Sequence, residues 1–550
     1  MSTAALAFPS MQKRTSMLRL DRQWWPLLLV GLCAWVASPA RAQQQAPASA
    51  ASPSETDSVK HVTYLPESVK AEFKEELKQE VLDQAKREGW ASPDSAAPSW
   101  TRRFRFSGDV RARFERDLFG VGNANSGEFP DFNAINTGSP FDVNFVDIAN
   151  ERYLNVDQAR TRPRLRARLG LTVDLGQGFS TGMRLASGDG STPVSTNQTL
   201  GGSGGNFSKY QIWLDQAFIR YEPIKGDPGR LALSLGRFEN PFFTFDFVWD
   251  EDLNVDGVAF QGELPLGGGF RPFLSAGAFP VFTTAFAFSP EQTAKFPSLN
   301  KWLYAAQLGA DWRLTPTVGI KFGAAFYYFH NIEGRQSDPC DTNLKTTSCN
   351  TDESRPSFAQ KGNTYFAIRT PSAAALLAEA TSLSPRYQYF GLASHFRELV
   401  GTVRFEVGVS EWLKLTLDGE GVRNFGFSPS EIGEVALNNR GHCDINGNCP
   451  YVGGRNGYEA RFILGSPTQS QQWDWNASAA YRYLESDAVV DAFADSDFGL
   501  GGTNLRGYIL TVTVWVANNV SFRARWLSAN QIVGPTYHSD ALQLDMMARF

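Results

Sequence analysis

The sequence predicts an all-β fold: a sixteen-stranded antiparallel transmembrane β-barrel preceded by a short periplasmic α-helix. Three observations predict it. Two-faced segments recur from residue 102 to the end of the chain. In the first of them Phe104, Phe106, Gly108, Val110, Ala112 and Phe114 alternate with Arg105, Ser107, Asp109, Arg111, Arg113 and Glu115. The connections between segments alternate strictly between short and long. Residues 541–550, ALQLDMMARF, keep the alternation through Leu542, Leu544, Met546 and Ala548 to the terminal Phe550. Period-two alternation without long apolar runs is the mark of strands that face lipid on one side and water on the other.

The first 42 residues read as a secretory signal peptide. Lys13, Arg14, Arg19 and Arg22 precede the apolar run WWPLLLVGLCAWV (24–36), and Ala40-Arg41-Ala42 has the small-x-small form of a cleavage site. Residues 43–63 form a flexible linker of Gln, Ala, Ser and Pro. Residues 64–90 carry a helix: Leu65, Val69, Phe73, Leu77 and Val81 make one apolar stripe, Pro66 suits its first turn, Lys86 and Arg87 suit its last, and Gly89 stops it. That stripe fits a coiled coil joining subunits equally with a helix tethered at the base of its own barrel. Residues 91–101 are a second linker, and residues 102–550 are the barrel.

The sixteen strands are expected at 102–115, 160–175, 178–187, 208–221, 230–239, 255–263, 270–281, 300–314, 318–330, 389–407, 412–424, 456–465, 472–485, 505–517, 520–529 and 540–550. The segment at 208–221 is irregular, because Asp215 and Arg220 fall on opposite faces unless a bulge intervenes. Aromatics gather at the ends of the apolar face, as in Trp302, Tyr304 and Trp312 or Trp473, Trp475, Tyr481 and Tyr483. Membrane interfaces favour that placement. Connections after even-numbered strands are short (GQ, EPIKGDPG, PLGGG, TPT, GVSE, SPTQSQ, NN), whereas 116–159 and 331–388 are very long. Short turns on the periplasmic side and long loops outside put both chain ends in the periplasm. Only a closed barrel satisfies the backbone of such strands in lipid, and sixteen strands leave an aqueous channel rather than a packed core.

With 57 acidic and 52 basic residues, no nucleic-acid partner is implied. Cleavage of the signal removes Cys33. The remaining Cys340, Cys349, Cys443 and Cys449 fall in outer loops and favour disulfides. Close spacing suggests Cys340–Cys349 and Cys443–Cys449 and leaves the crossed pairings open. Enzyme signals are weak, and neither a cofactor nor a metal is expected. GGSGG (201–205) matches a nucleophile pattern without a strand–turn–helix around it. A hydrolytic barrel would need His395 to meet a serine and an acid. CDINGNC (443–449) offers Asp444, Asn446 and Asn448 but lacks the bidentate glutamate of a calcium loop.

Four stretches carry a family resemblance: YLPESVKAEFKEELKQEVLDQAKREGW (64–90), RLRARLGLTVDLGQGFSTGMRLASG (164–188), LSLGRFENPFF (233–243) with DLNVDGVAFQG (252–262), and 481–510 through to Phe550. In order and spacing they resemble the bacterial putative porins, sixteen-stranded relatives of the general diffusion porins. The resemblance implies passive diffusion of small hydrophilic solutes or ions across the Gram-negative outer membrane, with homotrimers by analogy. An anion-binding, solute-specific porin is the alternative. Phe550 resembles the terminal signal read by the outer-membrane assembly machinery. The third outer loop, within 239–256, carries Asp246, Asp250, Glu251 and Asp252, and the resemblance implies that it folds inward and narrows the pore. Opposite it, Arg105, Arg111, Arg113, Arg162, Arg164, Arg166, Arg168, Arg523 and Arg525 make a basic channel-lining wall. Such a wall tunes ion preference, here toward anions.

Overall fold

The computed structural model describes residues 100–143, 152–190, 192–202, 204–226, 229–381 and 386–550. The signal peptide, the 43–63 linker, the 64–90 helix, nearly all of the 91–101 linker and Ser203 lie outside these residues. Sixteen barrel strands follow in order: β1 Phe104–Phe119, β2 Arg160–Gly176, β3 Phe179–Ser187, β4 Ile212–Ile224, β5 Arg230–Glu239, β6 Asn254–Glu263, β7 Phe270–Phe282, β8 Lys301–Arg313, β9 Val318–His330, β10 Arg397–Ser410, β11 Leu413–Asn424, β12 Asn456–Gly465, β13 Trp475–Leu484, β14 Leu505–Ala517, β15 Val520–Gln531 and β16 His538–Arg549. Each pairs antiparallel with the next, and β1 pairs with β16, from Asp109↔Arg549 to Phe119↔Ser539. That last pairing closes the sheet and removes its edges.

The alternation read from the sequence sorts the two faces. Phe106, Val110, Leu169, Met183, Leu308 and Tyr481 are exposed on the outer surface, while Asp109, Arg111, Arg113, Gln307 and Arg482 are buried inside. Short turns use the left-handed backbone where they are tightest: Gly176, Gln177 and Gly178 between β2 and β3 all have positive φ.

Several strand ends shift from the expected positions, β1 running to Phe119 and β16 starting at His538, and three of the shifts have a local reason. β4 runs 212–224 rather than 208–221. Arg184 faces Gln216 but Leu185 faces Leu214, so Asp215 is the extra residue of a bulge. The bulge lets both Asp215 and Arg220 point inward, where Arg184 pairs with the first and Ser234 accepts a hydrogen bond from the second. β10 starts at Arg397, not 389, because Phe390–Leu392 pairs with Tyr365–Ala367 in the outer loops. β13 starts at Trp475, since Trp473, at φ 71°, ends the alternation.

The expectation of an aqueous channel without a packed core needs a larger correction. The outer half of the lumen holds an apolar core. Leu303, Ala305, Tyr327, Phe329, Val400 and Val422 point inward near the long-loop end and pack against Phe132, Ile135, Phe247, Trp249, Phe390 and Phe396 from the loops. Phe132 stacks on Tyr365 at 4.3 Å, and Trp249 meets Tyr327 edge-on at 5.1 Å. The loops fold in because those inward apolar side chains would otherwise face water. The disulfides pair locally, Cys340–Cys349 and Cys443–Cys449.

Two buried carboxylates latch this loop assembly. Asp487 accepts hydrogen bonds from the Thr364 amide and hydroxyl and from the Ser486 and Tyr451 hydroxyls, and Asp491 accepts one from Tyr365. Burial pushes both carboxyls up, Asp491 to about 7, and the Glu333 contact raises His395 nearby. Groups whose folded pKa lies above the unfolded value stabilise the fold when protonated, and that contribution is lost as pH rises through the folded pKa. Hydrogen-exchange protection of the Thr364 and Tyr365 amides should therefore fall between about pH 5.5 and about pH 8. Asp491→Asn should flatten most of that slope. Equal protection at both pH values would contradict the latch.

Candidate functional site: a loop across the lumen

The connection between β5 and β6, residues 240–253, leaves the wall and crosses the barrel. Its start is pinned by Pro241, whose carbonyl accepts from Gln261 and Ser275. Gln307 on β8 then clamps Phe243 from both sides: Oε1 accepts the backbone N–H at 2.7 Å and Nε2 donates to the carbonyl at 2.8 Å. Across the lumen, Glu420 on β11 accepts from the Thr244 hydroxyl at 2.8 Å and the Phe245 amide at 3.4 Å. Asp246 pairs with Arg461 on β12, and its carbonyl accepts from Arg482 on β13. The loop returns to β2, where Asp252 accepts from Arg166 at 3.1 Å and from Arg168 at 3.2 Å. Sequential pins on β8, β11, β12, β13 and β2 make the loop a bridge across the pore.

A second loop, between β13 and β14, also turns inward. Asp495 pairs with Arg482 at 2.7 Å, and Asp497 lies 3.0 Å from both Arg113 and Arg525. It touches the first loop directly: the Asp250 amide donates to the Phe493 carbonyl, and the Asp250 carboxylate accepts from the Ser496 amide. Asp495 and Asp497 are absent from the sequence-derived set. Their signal was the acid spacing in DAFADSDF (491–498), inside a stretch otherwise noted only for its resemblance.

The arginines of the wall come together, but not as an unopposed positive face. The β1–β2 register sets Arg111 opposite Arg166 and Arg113 opposite Arg164. Like charges so placed repel, so carboxylates converge on them. Asp109 binds Arg166 and Arg168, Glu115 binds Arg162 and Arg164, and Asp545 on β16 binds Arg113 and Arg523. Arg111 donates to Asn197 and lies 3.6 Å from Glu251. Arg105 sits apart from the cluster, exposed near the short-turn end. Beneath the bridge is a polar cavity of about 660 Å³. Arg168, Arg461, Arg523 and Arg525 line its wall, and Glu239, Asp246 and Glu251 line its loop side. Glu239 and Glu251 are the open acids, 73% and 59% exposed. On the other flank of the loop is a smaller cavity of about 310 Å³. There Lys321 sits over the Phe243 and Phe273 rings, at 4.4 and 5.2 Å.

Two side features take their own form. The His395 Nδ1 lies 3.5 Å from Glu333, while the adjacent Ser394 turns its hydroxyl to the His395 carbonyl. In the 443–449 loop, the Asp444 carboxylate accepts the Asn446 and Asn448 amides, which is a turn-building role.

Residues 33–550 match the putative porin family. This chain belongs to that family. It is an outer-membrane diffusion channel. Similar solved structures include OprB of Pseudomonas putida, at 11% identity over 82% of this chain and 95% of that one, with a TM-score of 0.40. The outer membrane channel DcaP of Acinetobacter baumannii is 9% identical over 81% and 97%, with a TM-score of 0.37. An anion-selective porin from Comamonas acidovorans is 10% identical over 81% and 99%, with a TM-score of 0.35. No curated protein sequence matches this porin.

Proposed function

We propose that this porin passes small hydrophilic solutes and ions of both signs through a zwitterionic constriction, without catalysing a reaction. The carrying observation is the polar cavity of about 660 Å³ with arginines on its wall, Glu239 at the end of β5, and Asp246 and Glu251 on the bridging loop. Each wall arginine that pairs with a carboxylate loses part of its long-range field, so the anion bias expected from the arginines alone shrinks. What remains is a transverse field that orients dipolar solutes and selects weakly between ions. The reading includes export by a cleaved signal peptide, a periplasmic 64–90 helix, insertion by the outer-membrane assembly machinery through Phe550, and a homotrimer.

Reversal potentials in a salt gradient test it. Arg168 and Arg525 are the informative arginines, because their carboxylates keep a second partner: Arg166 for Asp109 and Asp252, and Arg113 for Asp497. Arg113 is less informative, because it is itself buried and joins two carboxylates, Asp497 and Asp545, so its replacement damages folding more than it reports on permeation. Arg168→Gln with Arg525→Gln should shift the anion-to-cation permeability ratio about two-fold toward cations. Glu239→Gln with Glu251→Gln should shift it about as far toward anions, both effects shrinking at high salt. No shift from either pair would remove these residues from the conduction path. Conductance that saturates with one anionic solute would favour the solute-specific alternative.

A further inference from the structure

Five loops at the long-loop mouth enclose a pocket that the constriction does not use. It has a volume of about 260 Å³ and walls that include Phe129, Pro130, Phe132, Leu154 and Phe358; two carboxylates also reach it, the exposed Glu128 and Asp131, which accepts the Ala134 amide. One cation enters it, Lys361. The Lys361 ammonium rests 4.4 Å from the Tyr537 ring centre, and the hydrogen bond it donates to Gln531 Oε1 is long, at 3.5 Å. Among the described residues no carboxylate pairs with it, whereas Arg113, Arg164 and Arg166 in the lumen each pair with a carboxylate. On the same lining, the Asn133 side-chain oxygen accepts the Ala359 amide, and among the described residues its NH₂ group donates to no protein acceptor.

The other pocket amides are committed to the protein. Asn439 and Asn504 bond each other and the backbone, and Gln360 donates to the Asp491 and Ala494 carbonyls. A polyhydroxylated solute would therefore find few free partners. An apolar-bodied monoanion would find walls for its body and one ammonium for its charge.

We propose that this pocket is a capture site for small aromatic carboxylates, with Lys361 holding the carboxylate and the Phe129–Phe132–Leu154 side holding the ring. The size agrees, since the volume falls just below the range of drug-sized ligand pockets and suits a single ring. A charge-assisted bond from a buried ammonium is worth more than one in water. Burial alone holds the Lys361 ammonium down to about 7, as expected of a cation that lacks its anion. The proposal is independent of the ion preference proposed for the constriction.

The test is calorimetric titration of the folded full-length porin in detergent, with empty micelles as blank. Benzoate should bind at least about ten-fold more tightly than benzamide, its neutral counterpart. Lys361→Gln should lose that difference while leaving ion conductance unchanged. Leu154→Trp, which fills the cavity and keeps the ammonium, should lose both ligands. Benzoate binding that is absent, that equals benzamide binding, or that survives Lys361→Gln would overturn the proposal. The conductance of the same variants reports separately on the channel.

Discussion

Excising residues 242–252 and joining Pro241 to Leu253 through a short Gly-Ser linker should raise single-channel conductance roughly two-fold or more. The expectation rests on where the loop lies. It spans from Gln307 on β8 to Glu420 on β11 and returns to Arg166 on β2, so it occupies cross-section that ions would otherwise use. The barrel should survive. None of the segment takes part in the strand ladder, whose β5–β6 pairing runs from Glu239↔Asn254 outward. The cost falls on the outer core, which loses Phe242, Phe247 and Trp249. Deleting a buried large aromatic costs about 3–5 kcal/mol each when packing collapses poorly. The loop lid should loosen while the wall stays closed, and the stranded Glu420 and Arg461 become solvated by the widened lumen. Planar-bilayer recordings check this. Unchanged conductance in a correctly inserted variant would mean that the permeation path runs elsewhere.

The parts of this architecture written in local periodicity were legible. Leu165, Leu169 and Leu171 against Arg164, Arg166 and Arg168 need no partner strand to declare two faces. Strand order followed from connection length. What stayed hidden was set by contacts between distant segments. Phe390–Leu392 has the apolar character of a barrel strand, yet its partner is Tyr365–Ala367 in the same outer loop, and only tertiary packing distinguishes the two fates. The bulge at Asp215 showed as a broken alternation whose repair needed the register against Arg184. The pairing of the wall arginines belongs to the same hidden class: Asp109 and Glu115 alternate on the arginine face and Asp545 lies on the last strand. Register brings those acids to the arginines, and register is invisible in a single strand.

Deleting Phe550 should reduce the amount of porin in the outer membrane at least about ten-fold, while the same truncated chain still folds in detergent. Phe550 sits at the closing seam, exchanging two backbone hydrogen bonds with Gly108 at 2.9 and 3.0 Å. Its ring lies over Gly108, where an added Cβ would come within 2.5 Å of the ring and of the Arg168 carbonyl. The β1–β16 ladder from Asp109↔Arg549 to Phe119↔Ser539 remains without it. A net loss of one or two hydrogen bonds costs roughly 1–3 kcal/mol, too little to unfold a closed barrel. A large loss in the cell would then have to arise before closure, at the proposed reading of the terminal aromatic by the assembly machinery. Phe550→Trp should assemble and Phe550→Ala should not. Gly108→Val separates the two causes, because a clash with the Arg168 backbone should impair closure in detergent as well as in the cell. Cell fractionation with a heat-modifiability gel gives both readouts. Normal membrane levels of the truncated chain, or its failure to refold in detergent, would each break the argument that Phe550 acts as a signal rather than as a structural staple.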